Sequence, residues 1–157
     1  MSLILKIMGS EKFGQFVPVV PSYAIRIRGT TYHANQSFLP MTPSSLWIET
    51  DTYIFDDIEY ESTHTKENEL YQSINLDIAR DILMNFKQKV LDAPPRTVEQ
   101  IVIHCYKGTS RSPAVAIGLE TTFSLGWDLP LLEHKFPTYN GFVVVNLEKA
   151  AKTLFPK

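Results

Sequence analysis

The segment from residue 100 to residue 119 constrains the fold of this chain more than any other. Gln100–His104 reads Gln-Ile-Val-Ile-His, a short apolar run of the kind found in strands that are covered on both faces of a parallel sheet. After a polar loop comes Ser112-Pro113, and proline suits the first turn of a helix. The apolar residues from Ala114 to Leu119 continue that helix. A strand, a tight loop and a helix in this order predict an α/β fold.

Other apolar runs supply the rest of the sheet. Leu3–Met8 and Tyr23–Arg28 read as strands, and a fourth strand lies either at Leu46–Ile48 or at Tyr53–Phe55. We therefore expect a central, mostly parallel sheet of about four to five strands flanked by helices.

A periodic pattern predicts further helices. Isoleucine, phenylalanine and valine recur every four residues from Ile74 to Val90, with Ser73 as a possible cap and Pro94-Pro95 as the stop. Two more helices are expected, a short one around Leu131–Lys135 and a last one from Val143 to Leu154 after Asn140-Gly141.

The size and charge of the chain limit its class. The 157 residues fit one domain over residues 1–157, and a net charge of −2 gives no reason to expect a nucleic-acid or membrane partner. The apolar residues 1–8 lack the features of a signal peptide and are too few for a membrane span, which needs about 20. The single cysteine excludes an intramolecular disulfide and is compatible with a reducing, cytoplasmic location.

That cysteine begins the polar loop. Five residues separate Cys105 from Arg111, enough backbone to wrap around a tetrahedral anion, and Gly108 permits a tight curl. Successive backbone amides and the start of the following helix favour an anion there, and the guanidinium of Arg111 can hold two phosphate oxygens. The same surroundings favour the thiolate, the reactive form of cysteine. Ser112 can donate a hydrogen bond to the sulfur.

The segment His104-Cys105-x-x-Gly108-x-x-Arg111-Ser112 resembles the active-site signature of the cysteine-dependent protein tyrosine phosphatases. Ser110-Arg111-Ser112 is similar to the dual-specificity members, and the small predicted tyrosine phosphatases of bacteria and phages look closest. The resemblance implies a three-layer α/β/α phosphatase-like fold and a cysteinyl-phosphate intermediate, with no metal and no other cofactor.

The resemblance also implies roles for individual residues. Cys105 is the expected nucleophile, Ser112 assists its departure, and His104 orients the loop and tunes the thiolate. The substrate phosphate is expected to bind the loop formed by Tyr106, Lys107, Gly108, Thr109, Ser110 and Arg111.

A general acid is needed to protonate the leaving oxygen. Relatives carry an aspartate on a separate loop, two positions after an aromatic residue, and Phe55-Asp56-Asp57 matches that spacing at Asp57. Asp56 remains the alternative acid. The polar stretch Asp57–Tyr71 is either a lid or a solvated loop, and Phe136–Asn140 resembles a family segment that packs near the active-site arginine.

The expected function is hydrolysis of phosphate monoesters, with phosphotyrosine in proteins as the first expectation and phosphoserine or phosphothreonine as further possibilities. A non-catalytic module that binds phosphorylated ligands is an alternative, as is a phosphatase for phosphoinositide or for RNA or nucleotide phosphate. A sulfurtransferase or an arsenate reductase fits less well, because the loop ends in Arg-Ser and the chain has no second thiol. His33, His64 and His134 lack the spacing of zinc ligands.

Overall fold

A computed structural model of the chain describes residues 3–31, 38–60, 63–66, 69–94 and 97–156. The elements in chain order are β1 (Ile4–Gly9), α1 (Ser10–Gln15), β2 (Ser22–Arg28), β3 (Trp47–Ile54), β4 (Thr63–Lys66), β5 (Glu69–Gln72), α2 (Leu76–Phe86) with a π-helical turn (Lys87–Leu91), β6 (Gln100–Cys105), α3 (Arg111–Phe123), α4 (Leu129–Lys135) and α5 (Gly141–Leu154).

Four strands form one parallel sheet in the order β1-β6-β2-β3. The central strands β6 and β2 are buried at almost every position, as their unbroken apolar runs predict. The fourth strand is a single strand that joins the two alternatives considered for it, since it runs from Trp47 to Ile54. The expected α/β fold with a parallel sheet of four to five strands is confirmed.

The larger core lies on the face of the sheet covered by α2, α3 and α5. Tyr23, Ile25 and Ile103 of the central strands are fully buried there with residues of these helices. Gly118 of α3 allows close contact with α5, because a Cβ atom at this position would lie 2.3 Å from Cδ1 of Leu147. This packing fixes α3, and with it the loop that precedes α3, against the sheet.

The opposite face has a thinner cover. Its core consists of Met8, Phe13, Ala24 and Val102, with Phe13 coming from the six-residue helix α1. Partly buried side chains from the segment around residues 41–47 complete this layer. Helix α1 has no periodic apolar pattern that would predict it, because Phe13 is its one large apolar residue.

Several local predictions need correction or extension. The cap of α2 is Asn75, whose side chain accepts a hydrogen bond from the Ile78 amide at 2.8 Å, so the assignment of Ser73 as the cap was wrong. Helix α3 begins at Arg111, one residue before the predicted start. Part of the polar stretch 57–71 forms the antiparallel hairpin β4–β5. None of the described helices is long and apolar enough to cross a membrane.

Parallel pairing brings the carboxyl ends of all four strands to one edge of the sheet. Helix α1 follows β1 there, residues 29–31 follow β2, residues 55–60 follow β3, and the loop 106–110 follows β6. In open α/β sheets ligands bind at this edge.

Candidate active site

The loop after β6 curls around the sulfur of Cys105. This residue is 2% exposed, and its Sγ accepts a hydrogen bond from the Gly108 amide at 3.3 Å and is hydrogen-bonded to Ser112 Oγ at 3.2 Å. Gly108 has a φ of +75°, and a Cβ atom there would lie 2.5 Å from the carbonyl carbon of Met8. Only glycine combines that conformation with that proximity.

The end of β1 supports the loop from outside. The Ser10 amide donates to the Tyr106 carbonyl at 3.0 Å, and Ser10 Oγ donates to the Cys105 carbonyl at 3.2 Å. A Cβ atom at Gly9 would lie 3.0 Å from the Lys107 carbonyl oxygen. Sequence reasoning missed this support, because nothing in residues 9–10 alone shows that β1 pairs with β6.

Arg111 is the first residue of α3 and is 8% exposed. One terminal nitrogen, Nη1, donates to the Phe55 carbonyl at 2.8 Å, which fixes the guanidinium beside the loop after β3. Its Nε is buried and has no hydrogen-bond partner among the described residues. A buried donor without a partner costs free energy, and an oxyanion in the loop would supply an acceptor.

The two adjacent aspartates have different surroundings. Asp56 is 8% exposed and accepts hydrogen bonds from the Thr30 amide at 3.0 Å, Thr30 Oγ1 at 2.5 Å and the Gln72 amide at 2.7 Å. These contacts tie β2, β3 and the end of the β4–β5 hairpin together. Asp56 therefore has a structural role, because both oxygens of its carboxylate accept hydrogen bonds.

Asp57 turns toward the loop of residues 105–111, here called the cysteine loop. It is exposed, and its Oδ1 accepts hydrogen bonds from Ser110 Oγ at 2.7 Å and from Asn140 Nδ2 at 2.8 Å. Both donors bind the same oxygen. Of the two aspartates, Asp57 is thus the one held against the loop 105–111.

Asn140 connects α5, the cysteine loop and the segment 55–60 after β3, here called the Asp57 loop. The residue is fully buried, its Oδ1 caps α5 by accepting from the Val143 amide at 3.2 Å, and its Nδ2 donates to both Asp57 Oδ1 and the Ile58 carbonyl. The backbone N–H of Asn140 donates to the Ser110 carbonyl at 3.1 Å. The segment 136–140 thus contacts the loop itself. The sequence placed Asn140 in a segment expected near Arg111 and at the start of a helix, but it did not indicate the hydrogen bond to Asp57.

His104 lies behind the loop on the thinly covered face of the sheet. Its Nε2 accepts a hydrogen bond from Nε of Arg26 at 3.0 Å, and its ring stacks on Phe13 with the centroids 4.0 Å apart. Burial, together with the charges of Arg26 and Arg111, lowers the pKa of His104 to about 3 against a weaker opposing effect of the Cys105 backbone. The imidazole is therefore neutral near pH 7.

The remaining loop residues form the outer rim. The side chains of Tyr106 and Lys107 are exposed, and the Thr109 carbonyl accepts a hydrogen bond from Thr138 Oγ1 at 3.3 Å. Beside the loop lies a groove of about 870 Å³, lined by Gly9, Ser10, Glu11, Lys12, Gln15, Leu39, Tyr106 and Lys107.

The described residues include no group of three or more histidine, cysteine, aspartate or glutamate side chains that could hold a metal ion. His134 is exposed on α4, and His33 lies outside the described residues.

Comparison with known proteins identifies the fold. No protein-family model and no curated protein matches the chain. Among solved structures, a human tyrosine phosphatase-like serine/threonine/tyrosine-interacting protein matches with a TM-score of 0.52 and 16% identity, over 85% of this chain and 78% of that one. The structure of Tk-PTP in the active form matches with a TM-score of 0.52 and 11% identity, over 97% of this chain and 92% of that one.

The chain thus has a tyrosine phosphatase-like fold: a small domain with a parallel four-stranded sheet flanked by helices. At 16% and 11% identity, these likenesses establish the fold and leave the chemistry to be argued from the site.

Proposed function

We propose that this protein is a phosphatase that hydrolyses phosphate monoesters through a cysteinyl-phosphate intermediate. The observation that carries the proposal is the cradle around Cys105. At the carboxyl edge of the sheet lie a buried sulfur, the Gly108 amide that donates to it, and the buried Nε of Arg111, which has no hydrogen-bond partner among the described residues. Such a cradle suits a phosphate group, since anions bind where backbone amides and a helix start converge.

In the first step the Cys105 thiolate attacks phosphorus. A sulfur–phosphorus bond forms while the bond from phosphorus to the leaving oxygen breaks, and Arg111 with the loop amides stabilises the charge on the other three oxygens. Asp57 gives its proton to the leaving oxygen, which departs as an alcohol or a phenol. Ser110 and Asn140 both donate to Oδ1 of Asp57, so Oδ2 is available to carry this proton.

In the second step water attacks phosphorus. Asp57, now ionised, takes a proton from that water, a phosphorus–oxygen bond forms, and the sulfur–phosphorus bond breaks. The hydrogen bond from Ser112 Oγ to Cys105 Sγ stabilises the sulfur as it leaves with its electron pair. Inorganic phosphate and the thiolate are the products, so the enzyme returns to its starting state.

A phosphorylated protein is the proposed substrate, with phosphotyrosine first and phosphoserine or phosphothreonine as further possibilities. The groove beside the loop supports this reading, because it combines exposed apolar area from Tyr106 and Leu39 with charges of both signs at Glu11, Lys12 and Lys107. A peptide flanking the phosphate offers groups to match both kinds of surface. A reducing, cytoplasmic location belongs to the same proposal, since the nucleophile must remain a free thiol.

Phosphoinositides and RNA or nucleotide phosphates are weaker candidates. These ligands carry several negative charges, and Lys107 is the one basic residue within the loop besides Arg111. Glu11 in the adjoining groove would repel additional phosphate groups. We therefore propose neither a membrane surface nor nucleic acid as a partner.

A second candidate is a module that binds phosphorylated ligands without turnover. One of the similar structures is of a tyrosine phosphatase-like interacting protein, and a cradle that binds phosphate need not break the ester bond. The arrangement of Asp57 favours the enzyme, because a binding module has no use for a carboxylate held beside the loop by two hydrogen bonds.

Hydrolysis of an aryl phosphate by wild type, Cys105→Ser and Asp57→Asn proteins tests the proposal. We expect turnover without added metal, its complete loss in Cys105→Ser, and a loss of about 10²–10⁴-fold in Asp57→Asn. Glu133→Gln on the exposed side of α4 is a control that should match wild type. An inert wild type that still binds phosphotyrosine peptide would favour the binding module, and unchanged turnover by Cys105→Ser would refute the mechanism.

A further inference from the structure

A cation is buried behind the cysteine loop. Arg26 is 7% exposed and lies on β2 directly opposite His104 of β6 in the register of the sheet. No ion pair joins it to a carboxylate among the residues that the structure describes. Its guanidinium instead lies 3.9 Å from the ring centroid of Phe38 and 5.1 Å from that of Phe13. Burial lowers the pKa of Arg26 to about 10, which leaves it charged near pH 7.

A buried charge without a counter-ion is expensive, and aromatic rings recover only part of that cost. The hydrogen bonds of the guanidinium therefore indicate what the charge does. One terminal nitrogen, Nη2, donates to the Leu39 carbonyl, and Nε donates to Nε2 of His104 at 3.0 Å. The second bond connects the cation to the residue that precedes the proposed nucleophile.

This bond determines where the proton of His104 sits. An arginine nitrogen can only donate, so Nε2 must accept and carries no hydrogen. Because the ring is neutral, its one proton lies on Nδ1. That atom is buried and has no hydrogen-bond partner among the described residues, although the adjacent Cys105 backbone favours a protonated ring. The effect of the Cys105 backbone on the ring indicates that the imidazole lies beside the start of the loop.

We propose that Arg26 is a positioning residue of the active site, which holds His104 in the Nδ1–H tautomer and in one ring orientation through its Nε–H···Nε2 hydrogen bond. Phe13 completes the arrangement by stacking on the same imidazole. The hydrogen bonds of Arg26 go to His104 and to the Leu39 carbonyl rather than to the sulfur. Arg26 acts through His104 on the backbone of Cys105, so that the loop is shaped before phosphate enters.

The position of Arg26 on a central strand supports the proposed positioning role. Direct neighbours in a parallel pair project from the same face of the sheet, so Arg26 and His104 lie together on the face covered by α1. An apolar residue would cost less at this buried site. An arginine in its place makes sense if the hydrogen bond to His104 is needed.

Nitrogen-15 NMR of the histidine side chains tests the proposal directly, because imidazole nitrogens with and without a proton have distinct shifts. We expect wild-type His104 to carry its proton on Nδ1 at pH 7. Arg26→Met should mix the two tautomers or reverse them, whereas Arg26→Lys, which can still donate to Nε2, should restore the wild-type signal. Arg80→Met, at an exposed site on α2, is the matched control. If Arg26→Met does not fold, the wild-type spectrum alone still decides, since a proton on Nε2 would overturn the proposal.

The kinetic consequence rests on the proposed function, but the tautomer does not. We expect kcat for an aryl phosphate to fall about 10-fold or more in Arg26→Met, as it does when supporting hydrogen bonds of other sites are removed, and to recover in Arg26→Lys. A wild type without activity would refute the phosphatase reading while the NMR result stands. An unchanged tautomer in folded Arg26→Met would overturn the positioning part even in an active enzyme.

Discussion

Removal of the Asn140 side chain should destabilise the protein by more than the loss of a helix cap alone. Asn140→Ala deletes three hydrogen bonds of a fully buried side chain: the cap of α5 at 3.2 Å, the bond to Asp57 Oδ1 at 2.8 Å and the bond to the Ile58 carbonyl at 3.1 Å. A lost N-cap costs about 1 kcal/mol, and each of the other two bonds contributes about 1 kcal/mol. The expected loss in the free energy of unfolding is about 3 kcal/mol.

Asn75→Ala is the matched control for the cap. Asn75 also caps a helix with its side chain, at 2.8 Å from the Ile78 amide, but this contact is exposed, and within the described part of the chain it is the one side-chain hydrogen bond of Asn75. Its removal should cost about 1 kcal/mol and leave kcat unchanged. Urea denaturation gives both stabilities, and an equal loss in the two variants would refute the assignment of two bonds to the Asp57 loop.

Asn140→Asp tests whether Asn140 positions Asp57 for the proposed proton transfer. The carboxylate still accepts from the Val143 amide, so the cap is retained, but it cannot donate and it repels Asp57. We expect a loss of kcat that grows as the leaving group becomes a weaker acid, because only those substrates depend on the proton from Asp57. A loss of the same size for good and poor leaving groups would show that Asn140 does not hold the acid.

Three further predictions concern single residues. Asp56→Asn should lower the free energy of unfolding by about 1–3 kcal/mol, because the amide NH₂ group of asparagine cannot accept the hydrogen bonds that the carboxylate now receives from three donors. Calorimetry should show this loss, whereas Asp57→Asn should leave stability nearly unchanged. A larger loss in Asp57→Asn would contradict the structural role of Asp56. Gly108→Ala should abolish turnover and cost at least about 1–2 kcal/mol from its positive φ alone, so a fully active variant would contradict the loop geometry. The pKa of His104 is about 3 in the folded protein and about 6.5 in the unfolded chain, so the unfolded chain binds the proton first as the pH falls. Below pH 6.5 the free energy of unfolding of wild type should therefore fall by about 1.4 kcal/mol per pH unit relative to that of His104→Gln. Parallel plots of stability against pH for the two proteins would refute the buried neutral imidazole.

The fold was predictable because its strongest signals are local. The apolar run before Cys105, the glycine within the loop and the start of α3 lie within some twenty consecutive residues, and together they define a strand–loop–helix unit at a ligand-binding edge. The cap of α2 was wrongly placed at Ser73 because two polar residues, Ser73 and Asn75, precede the periodic run. Only the position of the first helical turn decides between them.

The surroundings of the loop could not be predicted in the same way. Arg26, Ser10 and Asn140 reach the loop through strand register and helix packing, and these contacts span 78 to 95 residues for Arg26 and Ser10. The choice between Asp56 and Asp57 also depends on tertiary contacts, because the two adjacent aspartates differ in which distant residues donate hydrogen bonds to them. The catalytic assignments of Cys105 and Asp57 remain predictions.

The proposed mechanism requires that Cys105 becomes phosphorylated during turnover. Rapid quenching of the enzyme with an aryl phosphate, followed by mass spectrometry of the peptide that contains Cys105, measures this directly. We expect one phosphoryl group on the sulfur. It should accumulate further in Asp57→Asn when a substrate with a good leaving group is used, because attack by water then lacks its base. Steady turnover with an unmodified Cys105 at every time point, or a phosphoryl group on another residue, would contradict the proposed mechanism.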